Sequence, residues 1–165
     1  MKNTVLLLLL ATFTMLSSCD SGDTTAYKDM VFGMSLDDVQ ANGYCTGLHQ
    51  ILEDGMIAYQ CKYNDFADCA FDDAILVFQN NKLVKVHFIY TTDDGNLQQQ
   101  MSKKVFDYLT SQFGQSKETN KCYAWKDTKR TFILYPHMEF DELGKSMCIN
   151  ELSIFSNDYY KTKSK

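Results

Sequence analysis

An α+β fold is predicted for this chain, with one helix followed by three strands occurring twice, and two observations carry the prediction. Each half opens with a cappable amphipathic segment stopped by a glycine, and each such segment leads into three runs rich in aromatic or β-branched residues. The 165 residues are 45% hydrophobic and 22% charged with one proline, which fits one compact domain and excludes disordered or collagen-like chains. Sixteen Lys and Arg stand against 21 Asp and Glu, with no basic block, so a nucleic-acid partner is not expected.

The first segment, residues 1–18, reads as a leader to be removed. Lys2 precedes the apolar run Val5 to Leu10 and then Ala11 to Leu16, broken by Thr12 and Thr14 and closed by Ser17. That run falls short of the roughly 20 apolar residues a membrane span needs. Its exit, Leu16-Ser17-Ser18-Cys19, resembles the lipobox of bacterial lipoproteins, which implies cleavage before Cys19, diacylglycerol on its thiol, and a lipid-anchored place in a bacterial cell envelope, at the outer membrane on its periplasmic or surface side. Residues 19–28 then form a polar tether, beginning Asp20-Ser21-Gly22-Asp23.

The domain is expected over 29–158, in halves 29–92 and 93–158, with a tail over 159–165. Ser35 caps a short helix through Leu36 and Val39, helped by Asp38 and stopped by Gly43. Strands follow at Met56 to Tyr63, Ala70 to Gln79 and Leu83 to Thr91, the last two joined at Asn80-Asn81, because asparagine tolerates the positive φ of a type I′ turn. In the second half Asn96 can cap a helix whose Leu97, Met101, Val105, Leu109 and Phe113 share one face before Gly114. Its strands are Lys121 to Lys126, Arg130 to Tyr135 and Met147 to Phe155, the first two linked at Asp127-Thr128-Lys129.

This element order, with Gly33-Met34-Ser35 before the first helix, resembles the β-lactamase inhibitor protein and its relatives, and more loosely the small outer-membrane lipoproteins of the SmpA/OmlA type. The resemblance implies an antiparallel sheet with helices on one face and a non-catalytic binding or inhibitory role. The looser one implies an accessory of an outer-membrane assembly complex.

With Cys19 lipidated, five cysteines remain, at 45, 61, 69, 122 and 148. One bridge per half pairs Cys45 with Cys61 and Cys122 with Cys148, as the inhibitor-like proteins also place one in each half, leaving Cys69 over. Cys45 to Cys69 is the rival. No CxxC pair or histidine spacing points to zinc. Asp65, Asp68, Asp72 and Asp73 could offer oxygen ligands to calcium, as a metal-dependent secreted enzyme would need. They lack the glycine and closing glutamate of an EF-hand, and read as a solvated acidic turn. His49, His87 and His137 are not paired with a nucleophile by any motif. Neither metal, cofactor nor catalytic residues are therefore assigned.

Aromatic residues make up 13% of the chain. Period-two alternation puts Tyr123 and Trp125 opposite Cys122, and Phe155 opposite Cys148, Leu152 and Ile154. If the cysteines and aliphatics face the helices, Tyr123, Trp125 and Phe155 decorate the open sheet face as a surface for a protein partner. The alternative is that these rings fill the core beneath the helices and the cysteines point outward.

Overall fold

A computed structural model describes residues 25–52, 55–119 and 121–163, so the lipobox and its cleavage site lie outside the described residues. The molecule is built on one eight-stranded antiparallel sheet. In chain order the elements are β1 (Thr25–Tyr27), β2 (Met30–Val31), α1 (Leu36–Ala41), β3 (Cys45–Ile51), β4 (Met56–Cys61), β5 (Asp65–Phe66), β6 (Cys69–Ala70), β7 (Asp73–Gln79) and β8 (Lys82–Thr92). Then come α2 (Gly95–Phe113), β9 (Lys117–Thr119), β10 (Cys122–Lys126), β11 (Arg130–Phe140), β12 (Ser146–Ser156) and α3 (Asn157–Lys163). The large sheet runs β3-β4-β7-β8-β12-β11-β10-β9.

Local chemistry explains the best-formed elements. Ser35 accepts from Asp38 N–H at 3.1 Å and caps α1. Asn80 and Asn81 both hold positive φ, 51° and 62°, and turn β7 into β8. Asp94, rather than Asn96, caps α2 by accepting from Asn96 and Leu97 N–H, and Gly114 ends that helix at φ 80°. Met101, Val105 and Leu109 of α2 are buried against the sheet. Beneath them lie Leu76, Val86, Phe88, Trp125, Phe132, Leu134, Leu152 and Ile154.

The expected tandem of one helix and three strands is corrected. The molecule is mostly β, its halves merge where β8 pairs with β12 from Lys85↔Phe155 to Thr92↔Cys148, and the two helices are not equivalents. The six residues of α1 bury only Val39, whereas the nineteen of α2 span about 28 Å at 1.5 Å per residue. That length carries the chain from β8 to the far edge, from which β9 to β12 return as a meander. Short or poorly alternating strands such as β3, β5 and β9 carry no period-two signal, so element order alone understated the sheet. The folded unit also begins earlier than residue 29, since Ala26 and Tyr27 of β1 are buried, and α3 takes up much of the expected tail.

Candidate functional site: an apolar edge opposite the tether

The strands β11 and β12 are the longest hairpin of the sheet, and their two ends differ in chemistry. At the start of β11, the Arg130 guanidinium donates to Thr25 O at 3.0 Å and to Asp127 Oδ2 at 2.7 Å. It packs against the rings of Phe113 and Phe132 at 5.7 and 5.3 Å. This cation fastens the point at which the chain enters the fold. Ten residues further along β11, at about 3.3 Å each, Phe140 lies roughly 30 Å away.

That distal end exposes large apolar side chains: Met138 is 58% exposed, Phe140 71% and Leu143 92%, with Leu97 of the first turn of α2 at 47%. Isolated exposed leucines mean little, but three large side chains at one end of one hairpin, with Leu97 on the helix that starts at that end, form a patch. The turn between the strands is preorganised. Asp141 Oδ1 accepts from Leu143 N–H at 2.9 Å and Lys145 N–H at 2.8 Å. Lys145 Nζ in turn meets Asp93 Oδ2 at 2.8 Å, which holds the carboxyl of Asp93 below the usual carboxylate range. Asp93, Asp94, Glu139, Asp141 and Glu142 make this end acidic.

Backbone register leaves an unpaired edge here. The ladder between β10 and β11 runs from Lys126↔Thr131 to Tyr123↔Leu134, while β11 pairs with β12 as far as Phe140↔Ser146. The next partner of β10 would be Lys121 against Pro136, but Pro136 has no N–H to give and Lys121 turns the chain at φ 68°. The bonds Asn157 N–H to Lys129 O and Asp127 N–H to Arg130 O set the alternation. Odd residues of β11 bond β12, and even ones face β10. Met138 and Phe140 therefore direct N–H and C=O to an edge that no strand among the described residues covers. On the helix side, where β10 stops, a cleft of about 350 Å³ opens between α2 and the sheet, with Phe106, Tyr123, Leu134 and Pro136 as its apolar floor and Gln98 and Ser102 on its rim. A polar clamp keeps the cleft in shape. Gln98 Nε2 donates to His137 O and Ile149 O, both at 2.8 Å, and Ser102 Oγ donates to buried Asn150 Oδ1 at 2.6 Å.

The residues singled out in the sequence for binding fall elsewhere. Trp125 is 2% exposed, and Tyr123 and Trp125 lie under α2 with their rings 5.0 and 5.2 Å from Phe106. Alternation was right, but the side was not: the rings face the helix, and Cys122 faces away. Tyr123 nonetheless reaches the cleft. Phe155 does lie on the face away from α2, where Tyr159 of α3 stacks on it at 6.1 Å and Lys85 Nζ sits 5.2 Å from its ring.

The same register corrects one cysteine pair. Cys122 shares a face with Tyr135 and Glu151, whereas Cys148 lies with Asn150 and Leu152 on the helix face, two strands away, so a bridge between them would require the backbone to move. Cys45 and Cys61 are register partners across β3 and β4. Both are thiols in this structure, as is Cys69, and burial pushes all three up from the ordinary thiol pKa.

Other titratable groups serve local structure. Asp65 bonds Lys28 at 2.9 Å, which lowers its pKa, and accepts from Tyr27, whose own pKa burial raises. Asp72 accepts from Thr91 N–H, Asp73 from Gln60, and the carbonyl of Asp68 from Lys104, so the four aspartates point to separate partners. No group of three His, Cys, Asp or Glu suited to a metal occurs among the described residues. On the face away from α2, His87 Nδ1 lies 2.8 Å from Ser153 Oγ and its Nε2 is 3.9 Å from Glu151. Burial, with Lys85 adding, pushes His87 down to about 3, so the ring is neutral. His137 stacks on Tyr135 at 4.3 Å, and His49 lies on exposed β3.

Among the described residues, the long antiparallel sheet is thus fastened by Arg130 at one end and exposes an apolar edge at the other. Residues 27–142, from the end of β1 into the distal turn, match the model of a family described as an uncharacterised protein, and the chain belongs to that family. No curated protein and no solved structure matches the chain.

Proposed function

We propose that this chain is a lipid-anchored protein of a bacterial cell envelope that acts as a non-catalytic binding module and presents its distal β11–β12 end to a protein partner. The observation that carries this reading is the opposition of the two ends. The chain leaves the fold at Thr25, six residues after Cys19 of the lipobox-like Leu16-Ser17-Ser18-Cys19, and the exposed apolar patch lies roughly 30 Å off along β11. Six residues reach at most about 20 Å, so an anchor at Cys19 keeps the Arg130 end nearest the bilayer. The acids around the patch disfavour contact with an anionic membrane and favour a protein surface.

A photo-crosslinking side chain placed at Leu143 in cells should yield adducts with a discrete protein, while the same group at Thr128, near the tether end, should not. Adducts at Thr128 with none at Leu143 would reverse the orientation and end this reading.

A further inference from the structure

We infer that the distal edge of β11 takes up an extended segment of a partner protein by strand addition, in line with β10, and that this segment carries alternating apolar side chains flanked by basic residues. The inference rests on the binding reading above and names the mode and chemistry of recognition.

Three features of one place support it. Met138 and Phe140 offer outward N–H groups, and with Pro136 they offer outward C=O groups, on a stretch that β12 already holds rigid. Pro136 and Glu139 are the only blunting residues on this stretch, and the two residues whose backbone faces the edge, Met138 and Phe140, are apolar with exposed side chains. A strand lying where β10 would continue has alternate side chains on the helix side, above the cleft floored by Phe106, Tyr123, Leu134 and Pro136.

Charge selects the occupant. Asp93, Asp94, Glu139, Asp141 and Glu142 lie on the strand, the distal turn and the start of α2, and they outnumber the cations nearby: Lys145, engaged with Asp93, Lys103 at the cleft, engaged with Asp107, and Lys121 just before β10. A second copy of this chain would bring the same acids face to face, which is unfavourable. A segment with lysine or arginine beside its apolar residues meets the opposite sign.

The test uses the full chain, labelled for amide exchange, and a synthetic peptide of alternating valine and threonine with two lysines at each end. The expected result is that exchange of the Met138 and Phe140 amides slows about tenfold or more with this peptide. A peptide with glutamates in place of the lysines should have little effect. No slowing, or equal slowing by both peptides, would overturn the inference. So would protection of the same amides that grows with protein concentration alone, which would make a second copy the occupant. Met138→Pro removes an edge donor while leaving the β12 ladder, and should abolish the protection at Phe140 with an unchanged melt. Phe140→Thr, which keeps the backbone, should weaken binding at least several-fold, and unaltered binding in that variant would overturn the role of the apolar edge. Loss of strand addition with Leu143 crosslinks intact refutes this mode alone. Loss of both refutes the parent reading.

Discussion

Trp125→Ala should cost about 3 to 5 kcal/mol of folding stability. The indole is 2% exposed and wedged between Phe106, 5.2 Å away, and Tyr123, 6.4 Å away. A buried tryptophan removes about 150–250 Å² from water, which at about 25 cal/mol per Å² is about 4 to 6 kcal/mol, an upper value because the unfolded chain is not fully extended. Trp125 Nε1 has no hydrogen-bond partner among the described residues, and an unsatisfied buried donor offsets about 1 to 3 kcal/mol of that gain. Trp125→Phe, which keeps the ring and removes the donor, should therefore lose much less than the alanine variant. Urea unfolding followed by far-ultraviolet circular dichroism is the assay, since Trp125 is the only tryptophan and its fluorescence vanishes with it. At about 2–4 °C per kcal/mol, the alanine variant should melt about 10 °C lower. A loss within about 0.5 kcal/mol would mean that the ring is on the surface, and would refute the register that faces Tyr123 and Trp125 to α2.

Cys45 and Cys61 oppose each other next to the bond from Lys62 N–H to Tyr44 O, which makes theirs the close, non-hydrogen-bonded kind of pair, about 4.5 Å between Cα atoms. Non-reducing peptide mapping of protein from an oxidising compartment should find Cys45 joined to Cys61 and never Cys122 to Cys148, with about 3 kcal/mol of stabilisation lost on reduction. His87 has a folded pKa of about 3 against the ordinary 6.5, so the unfolded chain binds a proton that the folded one refuses. Stability should fall by up to about 1.4 kcal/mol per pH unit between those values as pH drops, and His87→Gln should flatten that slope; parallel curves would refute it. Cys19→Ala should abolish incorporation of labelled fatty acid, and retention of label would end the lipid-anchor proposal.

Elements with their own local chemistry were legible in the sequence. Ser35 capping α1, the asparagine pair between β7 and β8, and the four-residue steps of α2 each act within a few residues, and each stands where its pattern places it. What was not legible depended on distant pairing. Alternation separated Tyr123 from Cys122, but only the ladder Tyr123↔Leu134↔Leu152 says which set faces α2, and a shift of one residue inverts every conclusion drawn from it. The same gap misdirected Cys122 and Cys148. The distal edge was hidden for another reason. Its signals are the lone proline, which stops the β10 ladder, and three exposed apolar residues within Met138 to Leu143, a run that reads as an ordinary strand end until its neighbour is known to be missing.

Orientation on the membrane is the central claim, and a depth measurement tests it most directly. The lipidated chain, reconstituted in vesicles containing quencher-bearing lipids, would carry a small fluorophore at Thr128 in one preparation and at Leu143 in another. The predicted result is strong quenching at Thr128 and little at Leu143, roughly 30 Å further along the hairpin. Strong quenching at Leu143 would mean that the apolar tip enters the bilayer, and would contradict a distal end held out for a protein partner.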